Sequence, residues 1–303
     1  SSDLLSIYDV ERILKLGRPV FWFMHDMWPL TGGCHHAFDC TKYLEKCIDC
    51  PLLHRKRDML FCKFQFEEKY RIFSKYSNLK IIAPSTWLFH LASTSLLFKN
   101  KQLIHIPNLC DINIFKPMGK GWAKRLFNLS ESKKLILFGA ATGGMGNIYK
   151  GWEYLQKAIL HLSTSSYEAV IFGEYNKTVE KQLPIKCNFI GKLYDEYSLS
   201  VLYNAADVFV TPSLADNFPN TILESLSCGT PVVAFNVGGI PDLIMHKSNG
   251  YLAHYKDCED LKKGIEWCVS QYSIQEVCRS SIIKKYSPSL IIEKHKKLMY
   301  GKI

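Results

Sequence analysis

The chain has 303 residues, 47% of them apolar, and a formal net charge of +10. This length is sufficient for two domains, and the apolar content excludes a largely disordered protein. No run approaches the roughly 20 consecutive apolar residues that span a bilayer, and the first residues lack the build of a secretory signal. We therefore expect a globular cytoplasmic protein whose basic surface can attract membrane headgroups, nucleic acid or nucleotide diphosphates.

Short, continuous apolar runs recur along the chain between segments with helical spacing. Three lie in the first third of the chain (PVFWFM, LKIIAPS and LIHIPN), and five more follow, from KKLILFGA to PVVAFN. Continuous runs are typical of strands that are buried on both faces of a parallel sheet. The alternation of strands and helices predicts an α/β fold with doubly wound units.

The segment IPNLCDINIFKP, residues 106–117, contains two prolines and two asparagines and is typical of a connection between domains. We therefore predict a first domain over residues 1–117 and a second over 118–285. The second domain has about five strands, which matches a complete doubly wound unit. The first has about three, and we expect its beginning to be missing.

Two acidic residues flank a turn in the stretch 211–244. The strand DVFVTPS leads to Asp216, the turn NFPN follows, and a helix predicted to begin near Thr221 carries Glu224. Ligands of open α/β sheets bind beyond the strand ends, helix N-termini favour phosphate, and carboxylates accept hydrogen bonds from hydroxyls. The turn can therefore bind sugar hydroxyls and phosphates. Alternatively, TILE is a capping box in which Glu224 bonds the backbone of its own helix.

This stretch resembles the retaining glycosyltransferases of family 4, which have the GT-B fold. The shared features are two acidic residues, an FP pair, a CGTPVVA strand and a GG turn, here Asp216, Glu224, Phe218, Pro219, Cys228 to Ala234, Gly238 and Gly239. The resemblance runs from about residue 15 to residue 300. It implies two Rossmann-like domains facing a cleft, the first incomplete at its N-terminus, and a C-terminal helix over 286–303 that packs back on the first domain.

The resemblance also implies roles for these residues. Glu224 would bind the ribose hydroxyls of a nucleotide, and Asp216 would contact the donor sugar. The implied donor-binding positions are Gly139, Gly151, Asn217, Phe218, Asn220, Thr221, Gly238 and Gly239.

A glycine-rich loop lies in FGAATGGMGNIYKGWEYL, residues 138–155, between a strand and a helix. Its backbone can approach phosphates, and Lys150 at the helix start would add a charge to a pyrophosphate; a plain surface loop is the alternative. The family has one basic residue after the strand glycine and another before the helix glycine. Lys150 matches the second, whereas Ala140 occupies the first.

His25 follows the apolar run FWFM, so it is expected at the carboxyl end of a strand. A lone histidine in such a place is commonly structural. The family, however, has a histidine after this strand that reaches the donor sugar, and HDMWPLTGGCHH resembles a subgroup that acts in bacterial surface-polysaccharide synthesis. We therefore predict His25, Lys150, Asp216 and Glu224 as the catalytic residues.

Four cysteines, Cys34, Cys40, Cys47 and Cys50, fall within 17 residues and end in a CxxC. Four soft ligands in a compact, loop-like stretch can hold a tetrahedral structural zinc. The spacing lacks a paired CxxC signature, so two disulfides or four free thiols stay open as alternatives.

These observations predict a retaining, metal-independent glycosyltransferase that moves a hexosyl unit from a nucleoside diphosphate sugar to a saccharide or lipid-linked saccharide in polysaccharide biosynthesis. We expect no catalytic cofactor, and contact with anionic lipid at the inner face of the plasma membrane. A catalytically degenerate nucleotide-sugar-binding or scaffold protein is the alternative. No nucleic-acid partner is expected, because the sequence lacks a dense basic and aromatic motif.

Overall fold

The computed structural model describes residues 5–140, 148–173 and 181–301. The chain divides into two units, Ser1–Pro107 and Asn108–Ile303. The predicted domain boundary after residue 117 lies within the second unit. Each unit is built on one parallel sheet.

The first unit has a three-stranded parallel sheet with the strand order β1-β2-β3. Its helix α1 begins with a capping box, in which Ser6 and Asp9 bond each other's backbone N–H, and buries apolar residues at helical spacing. The elements are α1 (Ile7–Leu14), β1 (Val20–Phe23), α2 (Lys56–Lys75), β2 (Leu79–Ala83), α3 (Thr86–Thr94) and β3 (Gln102–His105).

The second unit has a six-stranded parallel sheet with the order β6-β5-β4-β7-β8-β9. Each strand pairs in parallel with its neighbours. The strands are β4 (Lys134–Ala140), β5 (Tyr167–Gly173), β6 (Lys186–Gly191), β7 (Val208–Thr211), β8 (Val232–Phe235) and β9 (Gly250–Ala253).

Among the described helices of the second unit, the first helix precedes the first strand, and the others connect strands or follow the last of them. None of the described helices of the chain is long and apolar enough to cross a membrane. The helices are α4 (Lys120–Leu126), α5 (Trp152–Leu160), α6 (Glu196–Ala205), α7 (Asn220–Ser227), α8 (Cys258–Ser270), α9 (Ile274–Tyr286) and α10 (Pro288–Met299). That α10 packs on the first domain stays a prediction.

Both faces of the six-stranded sheet are covered. Along β4, Leu135 and Leu137 belong to one buried cluster, which includes Tyr203 of α6, while Ile136 and Phe138 belong to another, which includes Leu155 of α5. This alternation explains why the strand reads as a continuous apolar run. The predicted α/β class with doubly wound units is confirmed.

A topological switch point lies between β4 and β7. These strands are neighbours in the sheet, but the chain continues from β4 to β5 on one side and from β7 to β8 on the other. The connections therefore diverge and leave a crevice beyond the carboxyl ends of β4 and β7. The predicted donor-binding segments follow these two strands.

Candidate functional site

The segments that follow β4 and β7 lie against each other. Leu214 donates a backbone hydrogen bond of 2.7 Å to the Tyr149 carbonyl. Gly151 has a φ of +60°, and a Cβ there would lie 2.0 Å from the Pro212 carbonyl oxygen. The close approach therefore requires a glycine at this position, which places Lys150 beside the segment after β7.

Lys150 and Asp216 form an ion pair. The Lys150 Nζ lies 3.6 Å from Asp216 Oδ2, and the two side chains are 43% and 19% exposed. The structure thus brings together two of the four predicted catalytic residues. A cation and a carboxylate side by side can receive a phosphate group and a hydroxyl, respectively.

The GG turn after β8 holds the backbone of Asp216. Gly239 donates a hydrogen bond of 3.2 Å to the Asp216 carbonyl. Gly238 has a φ of +58°, and a Cβ there would lie 2.0 Å from the same oxygen. The GG turn therefore holds the backbone of Asp216 in place.

The start of α7 is held by an asparagine that the sequence analysis treated only as part of a connection. Asn108 Nδ2 donates to Asn220 Oδ1 at 2.8 Å and to the Phe218 carbonyl at 3.3 Å. The Phe218 ring is buried and packs edge-on against Tyr286, with 5.6 Å between ring centroids. Asn108 is thus a positioning residue for this turn, and Phe218 anchors the turn in the core.

Glu224 lies on α7, and its carboxylate accepts a hydrogen bond rather than capping the helix. Tyr203 Oη donates to Glu224 Oε2 at 3.1 Å. The helix begins at Asn220 after the cap residue Pro219, which makes no side-chain capping bond. Thr221 is therefore the second helical residue, and the capping-box alternative is wrong.

The environment of Glu224 disfavours its charge. Burial raises the pKa of Glu224 to about 7; the Tyr203 hydrogen bond acts in the opposite direction, and Glu196 adds to the rise. A half-buried carboxylate whose pKa is raised in this way is typical of a functional site.

The remaining predicted donor positions, Gly139, Asn217 and Thr221, all lie within the described residues, in β4, in the segment after β7 and in α7. Gly139 is in β4, where a Cβ would lie 2.9 Å from the Phe172 ring. Asn217 is buried, and Thr221 is half-buried. The glycine-rich loop itself, residues 141–147, is outside the described residues.

His25 belongs to the first unit. It follows β1 by two residues, is exposed, and its ring centroid lies 5.0 Å from that of Phe23. It lines a cavity of about 390 Å³ together with Trp22 and Asp26. Its catalytic role stays a prediction.

The four clustered cysteines line one small cavity of about 10 Å³, and a fifth, Cys62 of α2, joins them. Cys47 Sγ accepts a 3.2 Å hydrogen bond from the Gly32 N–H. The four predicted ligands are free thiols, so the disulfide alternative is wrong. Within the described residues, no group of three or more His, Cys, Asp or Glu side chains is arranged to hold a metal ion. The structural zinc stays a prediction.

A buried lysine, which the sequence analysis did not predict, lies beside this cluster. Lys69 of α2 donates from Nζ to the carbonyls of Trp28 at 2.5 Å and Thr31 at 2.8 Å. Burial lowers the pKa of Lys69 to about 7.

Comparisons with known proteins agree with the site in the second unit. Residues 136–271 match the family described as glycosyl transferases group 1. An uncharacterized glycosyltransferase of Methanocaldococcus jannaschii is 30% identical over 176 residues, which are 54% of this chain and 44% of that protein. Sulfoquinovosyl transferase SQD2 of Arabidopsis thaliana is 33% identical over 140 residues, or 45% and 26% of the two chains. The chain thus spans less than half the length of these relatives.

Among solved structures, Anabaena Alr3699/HepE in complex with UDP matches 98% of this chain and 77% of its own, with a TM-score of 0.70 and 16% identity. The same protein in complex with UDP-glucose matches with a TM-score of 0.68. At this identity the likeness shows the fold alone. The predicted GT-B class with Rossmann-like units is confirmed. The match to the family of glycosyl transferases group 1 is confined to residues 136–271, all within the second unit.

Proposed function

We propose that this chain transfers a hexosyl or related unit from a nucleoside diphosphate sugar to a saccharide or lipid-linked saccharide, with retention of anomeric configuration. One observation carries the proposal: Lys150, Asp216 and Glu224 lie on the segments that follow β4 and β7, at the switch point of the sheet. Crevices of this kind bind nucleotides in open α/β sheets.

Glu224 would bind the ribose of the donor. Its carboxylate offers about four lone pairs, of which the Tyr203 hydroxyl takes one on Oε2. Two ribose hydroxyls can donate to the others. The half-buried position makes these hydrogen bonds stronger than they would be in water.

Lys150 would neutralise the diphosphate. Its ammonium group lies 3.6 Å from Asp216 Oδ2. Because the Lys150 side chain is 43% exposed, it can leave Asp216 and pair with an incoming anion. A bound diphosphate would attract Lys150, and Asp216 could then accept hydrogen bonds from the sugar hydroxyls. The N-terminal amides of α7 add positive potential at Asn220 and Thr221. This arrangement stabilises the leaving diphosphate electrostatically, and the proposal assigns no step to a metal ion.

The complexes of Anabaena HepE with UDP and with UDP-glucose support the donor class and make UDP the first nucleotide to test. The motif HDMWPLTGGCHH around His25 supports a role in polysaccharide synthesis, and we propose His25 as the catalytic residue of the first unit. The lysines of α9 and α10 support a location at the inner face of the membrane, where each adds about 1 kcal/mol of attraction to anionic lipid. A degenerate binding or scaffold protein is not favoured.

The activity test measures release of nucleoside diphosphate from UDP-, GDP- and ADP-sugars, with mixed saccharide acceptors, and assigns the product anomer by NMR. Lys150→Ala should slow release about a hundredfold, because one charge-assisted contact to the leaving group is lost. The matched control is Lys157→Ala, which removes an exposed lysine of α5 and should match the wild type. An inverted product would contradict retention, and nucleotide binding without release would support the binding-protein alternative.

We propose separately that Cys34, Cys40, Cys47 and Cys50 hold a structural zinc, since these four residues line one small cavity and thiolates are preferred zinc ligands. Metal analysis of reduced protein, purified without chelator, should find one zinc per chain. Cys40→Ser should lose it, whereas Cys187→Ser, in the second unit, should keep it. Zinc-free wild-type protein would contradict this proposal.

A further inference from the structure

Tyr203 of α6 is held rigidly behind Glu224. Its side chain is fully buried, at 0% exposure. Its ring makes edge contacts with Phe115, Phe172 and Phe209, at centroid distances of 6.3, 6.5 and 5.4 Å. Thr230 Oγ1 donates a 2.7 Å hydrogen bond to the Tyr203 carbonyl. These ring contacts and the bonded backbone carbonyl fix the direction in which the hydroxyl points.

That direction is toward the Glu224 carboxylate. The Tyr203 hydroxyl donates to Oε2 at 3.1 Å, and within the described part of the chain no other protein hydrogen bond reaches this carboxylate. Tyr203 thus contacts Glu224 from the core side. The donated hydrogen bond favours the ionised carboxylate and restricts its rotation.

We propose that Tyr203 is a positioning residue that keeps the Glu224 carboxylate ionised and oriented for the two ribose hydroxyls of the donor nucleotide. The inference rests on the proposed function and extends it, because it makes donor affinity depend on a hydroxyl that does not touch the donor. It also makes that affinity depend on pH.

The titratable and charged groups near Glu224 come from four parts of the second unit: α6, the end of α7, the connection before α4, and α9, whose Arg279 donates to the Ser227 carbonyl at 2.9 Å. On α6, Tyr203 donates to it and Glu196 repels it. Cys228, at the end of α7, and Cys110, in the connection before α4, have thiol pKa values that burial raises to about 12. Burial also raises the pKa of Tyr203 well above its ordinary value. Burial places the pKa of Glu224 at about 7.

The sign of the pH dependence follows. Above the pKa of Glu224, both carboxylate oxygens accept hydrogen bonds; below it, one carries a proton and loses an acceptor site. Donor affinity should therefore rise with pH through about 7. Without the Tyr203 hydroxyl, the charged form loses its hydrogen bond, and the rise should move to higher pH.

The experiment is calorimetric titration with UDP and with 2′,3′-dideoxy-UDP between about pH 5.5 and pH 8.5. The ratio of the two dissociation constants isolates the ribose hydroxyls and cancels the ionisation of the phosphate, which has a pKa of about 6. The variants are Tyr203→Phe and a matched control, Tyr251→Phe. The Tyr251 hydroxyl donates to another buried carboxylate, Asp260, at 2.8 Å in the same unit.

In the wild type, UDP should bind more tightly than the dideoxy analogue, by a ratio that grows with pH. In Tyr203→Phe the ratio should fall about tenfold near pH 7, with its midpoint about one pH unit higher, whereas Tyr251→Phe should match the wild type. A Tyr203→Phe ratio with wild-type size and midpoint overturns the inference while the proposed function stands. A wild type that binds no nucleotide overturns both.

A second measurement does not need the donor. A ¹³C NMR titration of the glutamate carboxyls, with the Glu224 resonance assigned by its loss in Glu224→Gln, reports the ionisation directly. The midpoint for Glu224 should be higher in Tyr203→Phe than in the wild type by about one pH unit. Equal midpoints would overturn the inference.

Discussion

The two parallel sheets of this protein differ in how deeply their strands are buried and in how the residues near each sheet are held in place. In the six-stranded sheet, alternate residues of β4 are buried on opposite faces, and the loops beyond the strands are held by backbone contacts to Pro212 and Asp216. In the three-stranded sheet, all four residues of β1 are half-buried. The cysteine cluster of the first unit is instead assembled from separate parts of the chain, because Cys62 of α2 lines the same small cavity as the four cysteines between residues 34 and 50.

This difference distinguishes positions that are fixed by backbone contacts from positions that are fixed by side-chain packing. Gly151 and Gly238 of the second unit sit where a Cβ would meet a carbonyl oxygen at 2.0 Å. Gly17 of the first unit also has a positive φ, of +70°, but a Cβ there would meet nothing within 4 Å. One region requires glycine for space and conformation, and the other for conformation alone.

The largest expected effect tests this contrast directly. Gly238→Ala should destabilise the fold by about 4 kcal/mol, because the methyl group meets the Asp216 carbonyl in addition to the strain of a positive φ. Gly17→Ala should cost only about 1 kcal/mol, since it has the strain without the clash. Urea unfolding of both variants provides the comparison, and equal losses would show that the contact with Asp216 does not constrain the turn.

The next effect concerns the half-buried carboxylate of Glu224. The pKa of Glu224 is about 7 in the folded chain against an ordinary 4.5, so its contribution to stability is full below pH 4.5 and is lost as the pH rises through 7. Glu224→Gln stays neutral and should be more stable than the wild type by about 2 to 3 kcal/mol near pH 8, with no difference near pH 4. Thermal unfolding across this range measures it. A stability difference that does not change with pH would contradict the burial of this charge.

In the first unit, the buried lysine provides the corresponding probe. Lys69→Met should destabilise the protein by about 1 to 3 kcal/mol, because the carbonyls of Trp28 and Thr31 lose their donor. Lys75→Met, at the exposed end of the same helix, should change stability by less than about 0.5 kcal/mol. Chemical unfolding at neutral pH distinguishes them, and equal effects would mean that Lys69 does not hold the Trp28 to Thr31 turn.

The smallest expected effect on stability belongs to the proposed catalytic ion pair. Lys150 and Asp216 are 3.6 Å apart and partly exposed, so Lys150→Ala should change the free energy of unfolding by less than about 1 kcal/mol. A loss of activity in this variant would then reflect chemistry and not folding. A loss of more than about 2 kcal/mol in urea unfolding would mean that the pair is structural.

The sequence predicted the residues whose positions depend on the order of strand, turn and helix. Asp216 and Glu224 follow β7 within one turn and one helix, and Lys150 precedes α5, so the carboxyl ends of two adjacent strands place them. The capping-box alternative failed because α7 begins at Asn220 with Pro219 as its cap residue, whereas a capping box would need Thr221 as the cap residue and Ile222 as the first helical residue.

Other residues of the candidate site and of the cysteine cluster could not be predicted, because their contacts depend on how distant segments of the chain pack. Tyr203 precedes Glu224 by 21 residues and reaches it only because α6 lies beside α7. Cys62 joins the thiol cluster from the middle of α2. Asn108, in the connection between the units, donates a hydrogen bond to Asn220 of α7, which lies 112 residues further along the chain. No local spacing in the sequence indicates these contacts.

Equilibrium binding of UDP to the wild type, Glu224→Gln and Glu276→Gln tests the central claim most directly. Glu276 is an exposed carboxylate of α9 and serves as the matched control. We predict that UDP binds the wild type and Glu276→Gln alike and binds Glu224→Gln at least tenfold more weakly, which corresponds to about 1.4 kcal/mol of ribose contact. Equal affinity of all three proteins would contradict the placement of the donor at the switch point between β4 and β7.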